Sequence, residues 1–96
     1  MHVSVRKYVV RGSMDELIEC VREGFVPILK SAPGFKSYSV IRVRGNDVVT
    51  ISMFENQAQA RDSNQLAAEW VRENVSSFVS GPPEIIQGEM AISETA

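Results

Sequence analysis

The sequence has one cysteine and one histidine, and these two shortages remove most familiar active-site chemistries. Cys20 alone cannot close an intrachain disulfide or build a multi-thiolate metal site, and beside an apolar helical stripe it is expected as a half-buried small hydrophobe. His2, at the extreme N-terminus, cannot assemble a two-histidine metal site, so it is left without a role. With a single imidazole no Ser-His-Asp arrangement can be drawn, and the dispersed glycines match no phosphate-binding spacing. No metal is therefore expected. No apolar run approaches the roughly 20 residues that would span a bilayer. The chain opens directly into Val3-Ser4-Val5 with no signal-peptide core, so a cytoplasmic location and no membrane partner are expected. Ten basic residues, scattered against 12 acidic ones, leave a net charge of -2 and no electrostatic footprint for nucleic acid.

What is present is ordinary globular material: 44% hydrophobic and 23% charged in 96 residues, which implies a single domain over 1–96. A chain of this length buries only about 60–70% of its unfolded surface as a monomer, so a second copy is expected to cover part of it.

Residues 2 to 10 are rich in β-branched side chains and read as a strand closed by Arg11-Gly12. Ser13 opens a helix with Glu16 at capping-box spacing, and Met14, Leu17, Ile18, Val21, Phe25, Ile28 and Leu29 form its apolar stripe. Gly24 and Pro27 predict a bend or fraying in that helix, and Pro33-Gly34 ends it. Strands over 35–44 and 47–54 flank Gly45-Asn46, which suits a tight hairpin. From 56 to about 79 the pattern is helical, with Asp62-Ser63-Asn64-Gln65 resembling a fresh cap, which predicts a short helix followed by a longer one. Ser80-Gly81-Pro82-Pro83 breaks it, and residues 84–93 form the last strand. The order is β-α-β-β-α-β, an α+β ferredoxin-like pattern with an antiparallel sheet.

Strand parity divides the sheet residues into two faces. Val3, Val5, Val9, Ile41, Val43, Val49, Ile51, Met53, Ile86, Met90 and Ile92 form the more apolar one, which is expected under the helices. The other holds Ser4, Arg6, Tyr8, Lys36, Tyr38, Val40, Arg42, Val48, Thr50, Ser52, Phe54, Gln87 and Glu89. Its mixture of tyrosine, arginine and aliphatic groups suits a homodimer interface. Ser37, Ser39 and Lys7 share the parity of the apolar set, while Asn64 and Asn74 fall near the apolar stripe of the second helix. Polar groups in that layer either bond one another or line a pocket. Trp70 lies at the shoulder of the same helix, either roofing the core or stacking on a flat ligand.

Several segments carry a family likeness: Phe25-Val26-Pro27-Ile28-Leu29, the Ala32-Pro33-Gly34-Phe35 turn into a strand containing Tyr38, Val49 to Glu55 leading into Asn56-Gln57-Ala58-Gln59-Ala60, and Trp70 on the second helix. With these the chain resembles the antibiotic biosynthesis monooxygenase-like domains of the dimeric α/β-barrel superfamily. The resemblance implies a homodimer with two sheets packed face to face, the last strand reaching toward the partner, and a pocket between sheet and helices in each subunit. It also implies oxygenase chemistry without a bound cofactor, in which asparagine, tryptophan, tyrosine and arginine side chains bind and polarise an aromatic substrate that itself activates dioxygen. The corresponding candidates are Asn64 and Trp70 as catalytic residues, and Tyr38, Arg42, Ser37 and Asn74 as substrate-binding residues. By parity Tyr38 and Arg42 point toward the partner sheet. A haem-degrading branch uses an axial histidine on the second helix, and none occurs between residues 56 and 80. Two functional expectations follow: a cofactor-independent monooxygenase-like protein that binds a small hydrophobic or aromatic molecule, and a non-catalytic homodimeric binding or interaction module.

Overall fold

A computed structural model describes all 96 residues. Strand β1 (His2–Val9) leads into α1 (Met14–Cys20), which continues through a π-helical turn (Val21–Phe25) into α2 (Val26–Lys30). Then come β2 (Phe35–Val43), β3 (Asp47–Phe54), α3 (Gln57–Asn74) and β4 (Glu84–Glu89). The sheet order is β2-β3-β1-β4 with every neighbouring pair antiparallel, the α+β ferredoxin-like arrangement expected from the order of elements.

The local signals act mostly as their chemistry dictates. The Ser13 hydroxyl accepts from the backbone N–H of Glu16 and starts α1, and Asn56 does the same for Gln59 at the head of α3. Gly45, at φ +85°, supplies the left-handed residue in the three-residue link from β2 to β3. The bend expected at Gly24 and Pro27 is a π-turn instead, which absorbs the missing proline donor while the helix runs on. Gly24 has a second use there. A Cβ at this position would lie 2.8 Å from Cζ2 of Trp70, so the indole rests directly on the helix backbone.

Four expectations are corrected. The second helix is a single rod, because Asp62-Ser63-Asn64-Gln65 does not cap a new segment. Ser63 donates its hydroxyl back to the Ala60 carbonyl at 2.6 Å and Asn64 bonds across to the sheet, so neither accepts from a backbone N–H as a cap would. Strand β4 ends at Glu89 instead of residue 93, since β1, its only pairing partner, ends opposite it at His2. Cys20 is exposed, turned away from the apolar stripe.

The largest correction concerns the sheet faces, which are exchanged. The helices cover Ser4, Arg6, Tyr8, Val48, Thr50, Ser52 and Phe54, all buried. The aliphatic set is the uncovered one: Val9, Ile41 and Val43 are exposed and Ile86 is 66% exposed. A bulge at Lys36 brings Phe35 opposite Phe54, and the two rings meet edge to face at 5.9 Å.

The core lies between the covered face and the helices in two clusters. One holds Tyr8, Val10, Leu17, Val48 and Val75, the other Phe25, Leu29, Phe54, Ala60 and Ala67, and Trp70 packs against both.

Candidate functional site

Arg6 sits in the middle of β1, only 1% exposed, with Thr50 directly across on β3. Its Nε donates to the Thr50 hydroxyl at 3.2 Å, and Nη1 donates to the Asn64 Oδ1 at 3.1 Å and to the Ser63 carbonyl at 3.4 Å. Nη2 is buried with no partner, and no carboxylate forms an ion pair with the group. A buried guanidinium without a counter-charge is costly, so the surrounding acceptors compensate it only in part. Ser4, one pleat back along β1, donates its hydroxyl to the same Asn64 Oδ1 at 2.5 Å.

Two donors on one amide oxygen draw charge toward it and make the Nδ2 hydrogens of Asn64 better donors. Nδ2 points the other way, toward the surface, where it donates to the Gln87 Oε1 at 2.9 Å. Asn64 therefore connects a buried cation to a solvent-facing amide donor.

Two tyrosines flank the guanidinium. Burial pushes the Tyr38 phenol up to about 12, against the pull of Arg6; Tyr8 raises it further and the neighbouring Thr50 hydroxyl lowers it. Burial likewise raises Tyr8, and Arg6 again opposes it. Both phenols stay neutral at physiological pH. Tyr38 also meets Phe25 edge to face at 5.8 Å, and Phe25 meets Trp70 at 5.4 Å.

The interior is full: the space enclosed over Tyr8 and Thr50 amounts to about 30 Å³, room for one or two waters in an apolar lining. Outside the core, α3 and β4 meet along a seam where Asn64 bonds Gln87. Asn64, Ala68 and Arg72 fall at helical spacing on α3, and Gln87 and Ile85 face the helix layer opposite Ser4 and Arg6. Past the end of β4 nearest Arg72, the seam gives onto a cavity of about 490 Å³ between α3 and the Gly81-Pro82-Pro83 loop, floored by Tyr8 and edged by Arg11 and Arg72.

Of the residues singled out in the sequence, Asn64 and Tyr38 are brought together around Arg6. Tyr38 lies in the helix layer, not toward a partner sheet, because the faces are exchanged. Trp70 packs on Phe25 and over Gly24, on the α1–α2 side of α3. Arg42 is held at the surface by Asp15 at 2.6 Å, Ser37 is exposed, and Asn74 bonds back to the Trp70 carbonyl at 2.9 Å. None of these three joins the Arg6 network. Ser4, Arg6, Thr50 and Gln87 were assigned to the other face of the sheet and missed as a site. The signal that could have found them is a serine and an arginine at alternate positions of a β-branched central strand, where a solvent face would have no reason to sit.

A four-stranded antiparallel sheet with helices on one face is the α+β ferredoxin-like fold shared with antibiotic biosynthesis monooxygenase-like proteins. No protein-family model and no curated protein matches the sequence. Solved structures do. A monooxygenase of Streptomyces coelicolor, ActVA-Orf6 in complex with nanaomycin D, is 26% identical at TM-score 0.73, with 98% of this chain and 92% of that one covered. SnoaB, a cofactor-independent oxygenase of Streptomyces nogalater, is 18% identical at TM-score 0.75, covering 96% and 94%. A Nitrosomonas europaea protein of unknown function reaches TM-score 0.78 at 12% identity, covering 99% and 93%.

Proposed function

We propose that this protein is a cofactor-independent monooxygenase acting on a small, largely aromatic molecule bound along the α3–β4 seam. The observation that carries the reading is Arg6: a buried, incompletely bonded guanidinium with no counter-ion, wired through Asn64 to the surface of the seam. Such a group lowers stability, and proteins retain that cost where a site uses it. The Asn64 Nδ2 donates to a phenolate or enolate oxygen of the substrate in place of Gln87, and Arg6 and Ser4 hold and polarise that amide. The oxygenase names of ActVA-Orf6 and SnoaB support the chemistry.

A stabilised enolate hands electrons directly to dioxygen. One oxygen atom replaces two hydrogens on a ring methylene, which becomes a carbonyl, and the other leaves as water with those hydrogens. The methylene supplies all four electrons, so no external reductant enters. Asn64→Ala should lower oxygen consumption with anthrone substrates by roughly 10²–10³-fold, the usual loss for one oxyanion donor, while the fold and assembly persist. Unchanged turnover would remove Asn64 from the mechanism.

The working unit in this reading is a homodimer through the uncovered sheet face. Val3, Val5, Ile41, Val49, Ile51, Met53 and Ile86 form one apolar surface there. Contiguous apolar area of that kind marks an interaction site, and a second copy supplies a matching one.

A second reading, a non-catalytic homodimeric binding module, is supported by the filled interior. Only about 30 Å³ is enclosed between sheet and helices, and Trp70 is spent on Phe25 and Gly24. It predicts small-molecule binding along the seam with no oxygen uptake for any anthrone tested.

A further inference from the structure

The wide end of the seam carries two guanidinium groups with no counter-ion. Arg11 follows β1 and Arg72 lies in the last turns of α3, and neither forms a salt bridge; the four ion pairs of the chain use Lys7, Arg22, Lys36 and Arg42. Glu69 and Glu73, next to Arg72 on the same helix, do not reach it. Arg11 is tethered, its Nε donating to the Ser77 carbonyl at 3.1 Å, which leaves the terminal nitrogens of its fork free. Between the two arginines lies the cavity of about 490 Å³, within the size range of small-molecule sites. Val71 and the consecutive prolines Pro82 and Pro83 give it rigid apolar walls, and the buried Tyr8 closes its floor. In a chain of net charge -2, this pairing of apolar walls with two free cations is a local departure.

We propose that the wide end of the seam is a specificity site for an acidic group: the ligand is an apolar, ring-containing molecule whose carboxylate is bound by Arg11 and Arg72. Arginine forks match carboxylates in geometry and charge, and the walls take the hydrocarbon body. Asn64 and Arg72 are eight residues apart on one helix, about 12 Å, so a fused bicyclic acid with a hydroxyl at its far end spans from the arginines toward the Asn64 amide. The assignment deepens the seam reading above by naming the class of ligand. It concerns binding alone and holds for enzyme and binding module alike.

The test is calorimetric binding of 6-hydroxy-2-naphthoate against its neutral isostere, 6-hydroxynaphthalene-2-carboxamide, to the intact protein. The carboxylate should bind on the order of tenfold more tightly or better, as charge-assisted hydrogen bonds imply, and the preference should weaken as salt rises. Arg11→Gln with Arg72→Gln should erase it, and Arg11→Lys with Arg72→Lys should restore part of it. Both positions are exposed, so circular dichroism should report an unchanged fold, and the comparison of the two ligands on the unaltered protein stands without any variant. Equal affinity for the two probes, a carboxylate preference that survives the double glutamine variant, or no binding of either probe would each overturn the assignment. The unaltered protein separates the two questions. Selective carboxylate binding without oxygen uptake from any anthrone sinks the oxygenase reading and leaves this one standing, whereas oxygen uptake with unselective binding does the reverse.

Discussion

One face of this sheet, the face under the helices, holds Ser4, Arg6, Tyr8, Thr50 and Ser52 around its centre, while the face without helices holds Val3, Val5, Val49, Ile51 and Met53. A sheet with one wet side normally does the opposite, apolar inward and polar outward. The exchange teaches that polarity and burial are uncoupled in this sheet, since its covered face is the more polar one. The polar residues are placed inward because α3 offers Asn64 and the Ser63 carbonyl as partners. In the reading proposed above, the covered face serves a site and the uncovered aliphatic face serves association.

The sharpest way to break this division is a charge in the middle of the apolar face. Ile51→Asp should convert a dimer to a monomer by light scattering, with a loss of roughly 4 kcal/mol or more, because an unpaired carboxylate would be buried in the interface. An unchanged mass would show that the face is not the contact. On the covered face the expected effect has the other sign. Arg6→Met keeps the length of the side chain and removes the unpaired charge, so it should raise stability by about 1–3 kcal/mol in denaturant unfolding while weakening the polarised Asn64 amide. A loss of stability would mean that Arg6 is structural.

The smallest effect sharpens the electrostatics of the covered face. Tyr38 has a folded pKa of about 12, above its ordinary value of 10.0, so the folded state keeps a proton that the unfolded state releases. That contribution is fully present below pH 10 and is lost as pH rises to about 12, to the extent of about 2 kcal/mol, with Tyr8 acting in the same direction. Tyr38→Phe should flatten the decline in unfolding free energy over that window. An equally steep decline would place its origin elsewhere.

Much of the fold was legible because it depends on local chemistry. Ser13 and Asn56 cap helices by their own side chains, Gly34 and Gly45 take positive φ where turns demand it, and the stripe through Leu17, Phe25 and Leu29 lies under cover as helical spacing requires. Of the candidate site, only Asn64 and Tyr38 were legible. Asn64 stood out, yet its partners Ser4, Arg6 and Gln87 lie on strands at sequence separations of 60, 58 and 23, so no spacing rule connects them. Asp62 and Gln65 carried a capping signal in mid-helix, and it went unused because Ser63 bonds back to the Ala60 carbonyl within the helix and Asn64 bonds across to Ser4.

The sequence by itself determined the element order, the hairpin, the antiparallel α+β class and the sorting of strand residues into two sets. Period-two alternation and helical spacing are properties of neighbouring residues, and they need no knowledge of what packs above them. Only the tertiary structure decided which set lies under the helices. Both sets are compatible with burial, and the choice rests on whether α3 meets Ser4 and Arg6 with hydrogen-bond partners, an energy that exists only when residues far apart in the chain are brought to one place.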